Sequence, residues 1–226
     1  MLDLTTWNLS VPSAPAPSTI STARLNNSYS SQYFRRNADN SVTFWVPVNG
    51  SHTDDARYPR SELRETQADG SLSNWYHANY LSAVLTINQV PSKNKIIIAQ
   101  VHSKDEPGSN NDPLLKLQYH YLRGVGRLEL LLRKRPGDSS VQNILLAENI
   151  QLNQRFSYEL RITPSGKLGV KVTSSHGDNG SFYQQLSGYW STQLLYFKAG
   201  AYVQDNYGPS TEGARVTFYW LNSLHR

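Results

Sequence analysis

The 226-residue chain has no cysteine, so disulfides contribute nothing to its stability and thiols say nothing of its redox compartment. No apolar stretch approaches the roughly 18 residues that a spanning helix needs, which argues against a membrane partner. The opening Met1-Leu-Asp-Leu-Thr-Thr lacks a basic region followed by an apolar one, so no signal peptide is visible. The compartment stays open between cytoplasm and secretion after removal of a signal. Long basic runs are also missing. The densest cluster is Arg133-Lys134-Arg135, and no helical recognition motif or zinc spacing accompanies it, which argues against nucleic acid. Helical periodicity is scarce too, with one short turn expected near residues 18–25.

What the chain does carry is strand-like alternation, seen in Val42, Phe44 and Val46; Leu128, Leu130 and Leu132; Phe156, Tyr158, Leu160 and Ile162; Leu168, Val170 and Val172; and Val216, Phe218 and Trp220. Each run is short and bounded by turn formers, as at Asn49-Gly50, Pro136-Gly137-Asp138 and Pro164-Ser165-Gly166. Eleven prolines and fourteen glycines are scattered without a linker, repeat or low-complexity tract. The pattern predicts an all-β, antiparallel two-sheet jelly-roll sandwich forming a single domain over residues 1–226. Three long polar connections, 103–112, 174–181 and 205–212, are candidate lids or plain surface loops. The formal net charge of +5 favours a polyanionic partner.

Parity then locates a working surface. In the run from Tyr196 to Gln204, even positions carry Tyr196, Lys198, Gly200, Tyr202 and Gln204, while odd ones carry Phe197, Ala199, Ala201 and Val203. Side chains alternate across a strand, so one face is a packed wall and the other polar. Arg60, Glu62 and Arg64 share a face in the same way, as do Gln100 and His102, with Ile97, Ala99 and Val101 expected behind them. If the three segments lie side by side, one surface collects Arg60, Glu62, Arg64, Gln100, His102, Lys198, Tyr202 and Gln204. Taken singly, each has a plainer explanation: a solvated Arg-Glu-Arg face, satisfied surface polar groups, a half-buried sheet tyrosine. Their conjunction in order and parity favours a site for a negatively charged substrate and proton transfer.

The segments R-S-E-L-R (Arg60 to Arg64), Q-V-H (Gln100 to His102) and Y-F-K-A-G-A-Y-V-Q (Tyr196 to Gln204), with the opening L-T-T-W-N-L, resemble the alginate lyases of polysaccharide lyase family seven over nearly the whole chain. The resemblance implies cleavage of a uronic acid polymer by β-elimination, with Arg60, Gln100, His102 and Tyr202 at the catalytic centre. Glu62, Arg64, Lys198 and Gln204 are then assigned to substrate binding. By the same resemblance, Tyr202 serves as base and acid on mannuronate, whereas on guluronate His102 is the base and Tyr202 the acid. Val101 in Q-V-H implies a leaning toward poly-mannuronate.

The chemistry fits the residue types. An arginine can pair both oxygens of a carboxylate without losing its charge, and cations near Tyr202 favour its phenolate. Glu62 is expected to hold the two arginines in orientation. A glycoside hydrolase would need two flanking carboxylates, and only Glu62 is present on these strands. A non-catalytic carbohydrate-binding module, or a lyase for another uronan such as glucuronan, are the remaining alternatives. His52, His77, His120, His176 and His225 show no ligand spacing, so neither a metal nor a cofactor is expected. Trp45, Trp75, Trp190 and Trp220 read as core or rim. The expected partner is the acidic polysaccharide, and the expected state a monomer.

Overall fold

The computed structural model describes residues 2–66, 78–105 and 107–225. Its strands are β1 (Trp7–Val11), β2 (Ser18–Ile20), β3 (Phe34–Arg36), β4 (Val42–Pro47), β5 (Arg60–Glu65), β6 (Asn79–Gln89), β7 (Lys95–Ser103), β8 (Pro113–Leu122), β9 (Val125–Leu132), β10 (Gln142–Ile150), β11 (Phe156–Ile162), β12 (Lys167–Ser174), β13 (Gly180–Gln185), β14 (Leu195–Val203) and β15 (Gly213–His225). They form an eight-stranded sheet ordered β10-β9-β8-β7-β14-β5-β1-β2 and a seven-stranded sheet ordered β13-β12-β11-β6-β15-β4-β3. All pairings are antiparallel, giving the expected jelly-roll sandwich.

The apolar sets found by alternation meet between the sheets. Leu128, Leu130 and Leu132 from one sheet and Tyr158, Leu160, Val170 and Val172 from the other lie in one continuous core. Each such side chain contributes roughly 1.5–3 kcal/mol by leaving water. Phe44 makes edge contacts with both Phe34 and Phe218, at ring-centroid distances of 5.3 Å each, and ties β3, β4 and β15 together.

Three local features depart from simple alternation. The expected helical turn begins later, at Thr22–Asn26, because Ser21 caps it by accepting from the Arg24 N–H, while Ser18–Ile20 is strand. Trp220 is on the solvent side and 47% exposed, because a register shift between Phe218 and Trp220 reverses the parity of β15 and turns Leu221 inward instead. Ile97 is likewise not behind the polar face. A shift in β7 between Ile97 and Ala99 puts Ile98 into the core beside Ala99 and Val101, and leaves Ile97 opposite Gln118 and Tyr202. Trp75 and His77 lie outside the described residues.

A second shift falls in β14 between Ala199 and Tyr202, on its β7 side, while its pairing with β5 stays regular from Lys198↔Arg64 to Tyr202↔Arg60. Gly200 absorbs it with φ of +146°. A Cβ at that position would stand 2.7 Å from the Ser61 carbonyl oxygen and 2.9 Å from the Glu62 Cα. The Gly200→Ala protein is therefore expected to lose about 1–3 kcal/mol in denaturant unfolding. An unchanged midpoint would mean that β5 and β14 can separate at no cost.

Candidate active site

Strand order makes β14 the centre of the site, with β5 on one side and β7 on the other. Register then puts specific side chains in line. One row runs Asn8, Arg64, Lys198, Gln100 and Lys116 across β1, β5, β14, β7 and β8. A second contains Arg60, Tyr202, Ile97 and Gln118, and His102 lies opposite Tyr196. A cavity of about 300 Å³ opens over this face, lined by Arg60, Arg64, His102, Tyr196 and Lys198 among others.

The floor is organised by Glu62, whose side chain is fully shielded from solvent. One oxygen, Oε2, takes Lys198 Nζ at 2.9 Å and Arg60 Nη1 at 3.3 Å, and the other accepts from Gln100 Nε2 at 2.6 Å. The expectation that Glu62 orients both arginines is half met: it holds Arg60, but its second cation is Lys198. The Arg64 guanidinium instead lies 4.3 Å from the centroid of the Tyr196 ring. Its Nε and the Oδ1 of Asn8, directly across in register, are buried without a hydrogen-bond partner.

Burial works against a charged Glu62, but the Lys198 and Arg60 cations outweigh it and hold the carboxyl below its usual range. Lys198 feels the opposite balance. Burial is the larger influence and, with Arg60 and Arg64 as like charges, outweighs Glu62 and brings the ammonium down to about 8. Of the two cations, Lys198 is nonetheless the nearer and acts more strongly on Glu62 than Arg60 does.

His102 is driven down to about 3, first by burial and then by the Lys198 charge, so its imidazole is neutral. Nδ1 lies 2.7 Å from the Ser103 carbonyl oxygen, which only a donor can satisfy, and Nε2 keeps its lone pair. Tyr202 is 7% exposed, with the Arg60 guanidinium 4.1 Å from its ring centroid. Arg60 does favour the phenolate, as expected, yet burial is stronger and raises the phenol above its ordinary value. The site at rest thus holds a neutral imidazole and a protonated phenol.

Gln204 lies just beyond β14, and its amide donates to the carbonyls of Tyr202 and Val203. The 103–112 connection is pinned at its neck, where Ser103 and Asp112 exchange three hydrogen bonds. Parity arguments missed Lys116. Its ammonium stands 6.0 Å from the Tyr202 ring centroid, and burial lowers its affinity for a proton. The alternation Leu115, Lys116, Leu117, Gln118 was the available signal, obscured by the bulge that breaks the β7 register. Beyond it, Glu129 accepts from Gln118 and faces His120 Nδ1 at 3.1 Å. His225 is similarly engaged, within 2.6 Å of both Glu65 and Asn79 oxygens. No cluster of three His, Asp or Glu able to hold a metal occurs among the described residues.

A buried carboxylate that aims cations and an amide into a groove on a jelly-roll sheet defines a protein built to receive acidic chains. The family model described as alginate lyase matches residues 2–225, and the chain belongs to that family. It is similar to the crystal structure of an alginate lyase from Pseudomonas aeruginosa, 45% identical with a TM-score of 0.93, covering 99% of this chain and 100% of that one. The family seven alginate lyase A1-II′ is 32% identical with a TM-score of 0.83, covering 99% and 96%. An alginate lyase of Klebsiella pneumoniae is 26% identical, covering 99% of this chain and 89% of its own length.

Replacing Glu62 with glutamine removes the one carboxylate that Lys198 and Arg60 contact among the described residues. Leaving buried cations unpaired costs on the order of 3–5 kcal/mol, so Glu62→Gln is expected to unfold at markedly lower denaturant at pH 7. The Lys198 value falls from an ordinary 10.5 to about 8 on folding, so its charged form opposes folding and that penalty is relieved as pH rises through this window. Glu62 raises that value, so without it Lys198 gives up its proton below pH 8, and the deficit of Glu62→Gln should shrink as pH rises towards 8 and level off above it. A deficit independent of pH would place the cost elsewhere than at Lys198.

Proposed function

We propose that the chain acts as one catalytic domain that cleaves the 1,4-linkages of alginate by β-elimination. The observation that carries this reading is the joint placement, on one sheet face, of a Glu62-fixed Arg60 and Gln100 with a neutral His102 and a protonated Tyr202. The A1-II′ enzyme was crystallised as variants with a GGG product and with a GGMG substrate, which supports an oligouronate in the equivalent groove.

The C5 proton of a uronate is weakly acidic because its removal adds charge beside an existing carboxylate. Arg60 and Gln100 neutralise and hold that carboxylate, so negative charge can spread onto its oxygens as the C5–H bond breaks. The C5 electron pair then forms the C4=C5 double bond, the C4–O4 bond breaks, and O4 takes up a proton. Arg64, Lys198 and Gln204 bind the chain, and Glu62 acts by positioning Arg60, Lys198 and Gln100.

For guluronate, C5–H and O4 lie on opposite sides, and the resting protonation states are already matched: His102 Nε2 accepts and Tyr202 donates. For mannuronate they lie on the same side, and Tyr202 does both. It must first shed its proton, with Arg60 and Lys116 beside the ring as the stabilising charges. The leaning toward poly-mannuronate rests on Val101, which is fully buried in the core and acts only through strand position. A methylene there is worth about 0.5–1.5 kcal/mol, at most about tenfold in rate. The preference is thus partial.

Incubation with alginate should generate the ultraviolet absorbance of a 4,5-unsaturated uronate end. Tyr202→Phe is expected to remove nearly all of that signal on both homopolymers while polymer binding persists, since only the proton-carrying hydroxyl is deleted. Turnover of Tyr202→Phe near that of the unmodified enzyme would overturn the assignment, and an unmodified enzyme that strongly prefers poly-guluronate would overturn the leaning.

A further inference from the structure

A second cavity, of about 340 Å³, lies on the outer face of the seven-stranded sheet, away from the catalytic groove. Register builds it from one row of outward side chains, Tyr183, Gly169, Arg161, Tyr80 and Leu224, crossing β13, β12, β11, β6 and β15. Tyr183 is 74% exposed. A Cβ on Gly169 would meet its ring at 3.2 Å, so the ring lies across the glycine backbone and presents its other side to solvent. An aromatic ring supported in this way offers an apolar face for the C–H side of a sugar.

The charges around the ring favour an acidic sugar. Lys167, Lys171 and Arg161 stand on the outward positions of β12 and β11 against a single carboxylate, Glu159, which the Tyr80 hydroxyl contacts. Four interstrand gaps of about 4.8 Å make the row roughly 19 Å long, sufficient for an oligosaccharide rather than one ring.

We propose that this face is a second, non-catalytic binding site for the same acidic polysaccharide, with Tyr183 as stacking platform and Arg161 and Lys171 as carboxylate contacts. The proposal rests on the substrate reading given above. Its consequence is that a long chain is held at two places on the protein, whereas a short oligosaccharide gains nothing from the second.

The test compares alginate polymer with a tetrauronate for the unmodified protein, Tyr183→Ala, Tyr183→Phe and Arg161→Ala. Loss of the stacked ring is expected to raise the polymer KM about threefold to tenfold at unchanged kcat, with tetrauronate kinetics unaltered. Arg161→Ala should act in the same direction, and Tyr183→Phe, which keeps the ring, should behave as the unmodified protein. A polymer KM unchanged in both alanine variants would overturn the proposal, as would equal KM increases on polymer and tetrauronate. If the unmodified protein eliminates neither substrate, the substrate reading fails separately. Retardation in a native gel containing alginate then reads the surface alone: weaker retardation of Tyr183→Ala upholds the site, and equal retardation overturns it.

Discussion

One carboxylate, that of Glu62, sets the arrangement of the groove. It is fully shielded from solvent and touches Lys198, Arg60 and Gln100, each on a different strand. Burying such a cluster gives little net stability, because the desolvation of each ion consumes most of the attraction. What it does supply is direction. Arg60 is fixed by one guanidinium nitrogen, and Gln100 donates one of its two amide hydrogens to Glu62.

The backbone has to accommodate that cluster. Opposing bulges in β7 and β14, the second centred on the positive-φ Gly200, keep β5 in regular register with β14 while shifting β7 by one residue. Tyr202 consequently faces Ile97 rather than another polar group, and its ring is enclosed by Ile97, Arg60 and Lys116. Burial then keeps both His102 and Tyr202 uncharged: His102 falls to about 3 and Tyr202 rises. Charge at the site thus resides on Glu62 and the cations around it, while His102 and Tyr202 are neutral.

Much of this was legible from period-two alternation. The two-sheet sandwich and the shared face of Arg60, Glu62 and Arg64 follow from it, whereas the adjacency of the three motif strands was a condition that only the strand order β7-β14-β5 supplies. Alternation fails wherever a strand carries an extra residue, and those places include the floor of the site. Ile97 and Trp220 are misassigned for this reason, and Lys116 escapes notice because its register with Gln100 depends on the β7 bulge. The choice of Lys198 over Arg64 as the second partner of Glu62 was also hidden. It depends on which long side chain reaches a carboxylate across β14, and parity gives only the face, not the reach.

If the Glu62–Lys198 pair exists for orientation rather than stability, the two can be separated in one protein. In a Glu62→Leu/Lys198→Met double variant the two buried opposite charges leave together and Arg60, whose side chain is 22% exposed, can turn to solvent, so denaturant stability is expected to stay within about 1 kcal/mol of the unmodified chain. The elimination rate on alginate, followed by ultraviolet absorbance, should fall by about a hundredfold or more, because Arg60 and Gln100 lose the group that aims them. A stably folded double variant that still eliminates at close to the original rate would contradict this role for Glu62.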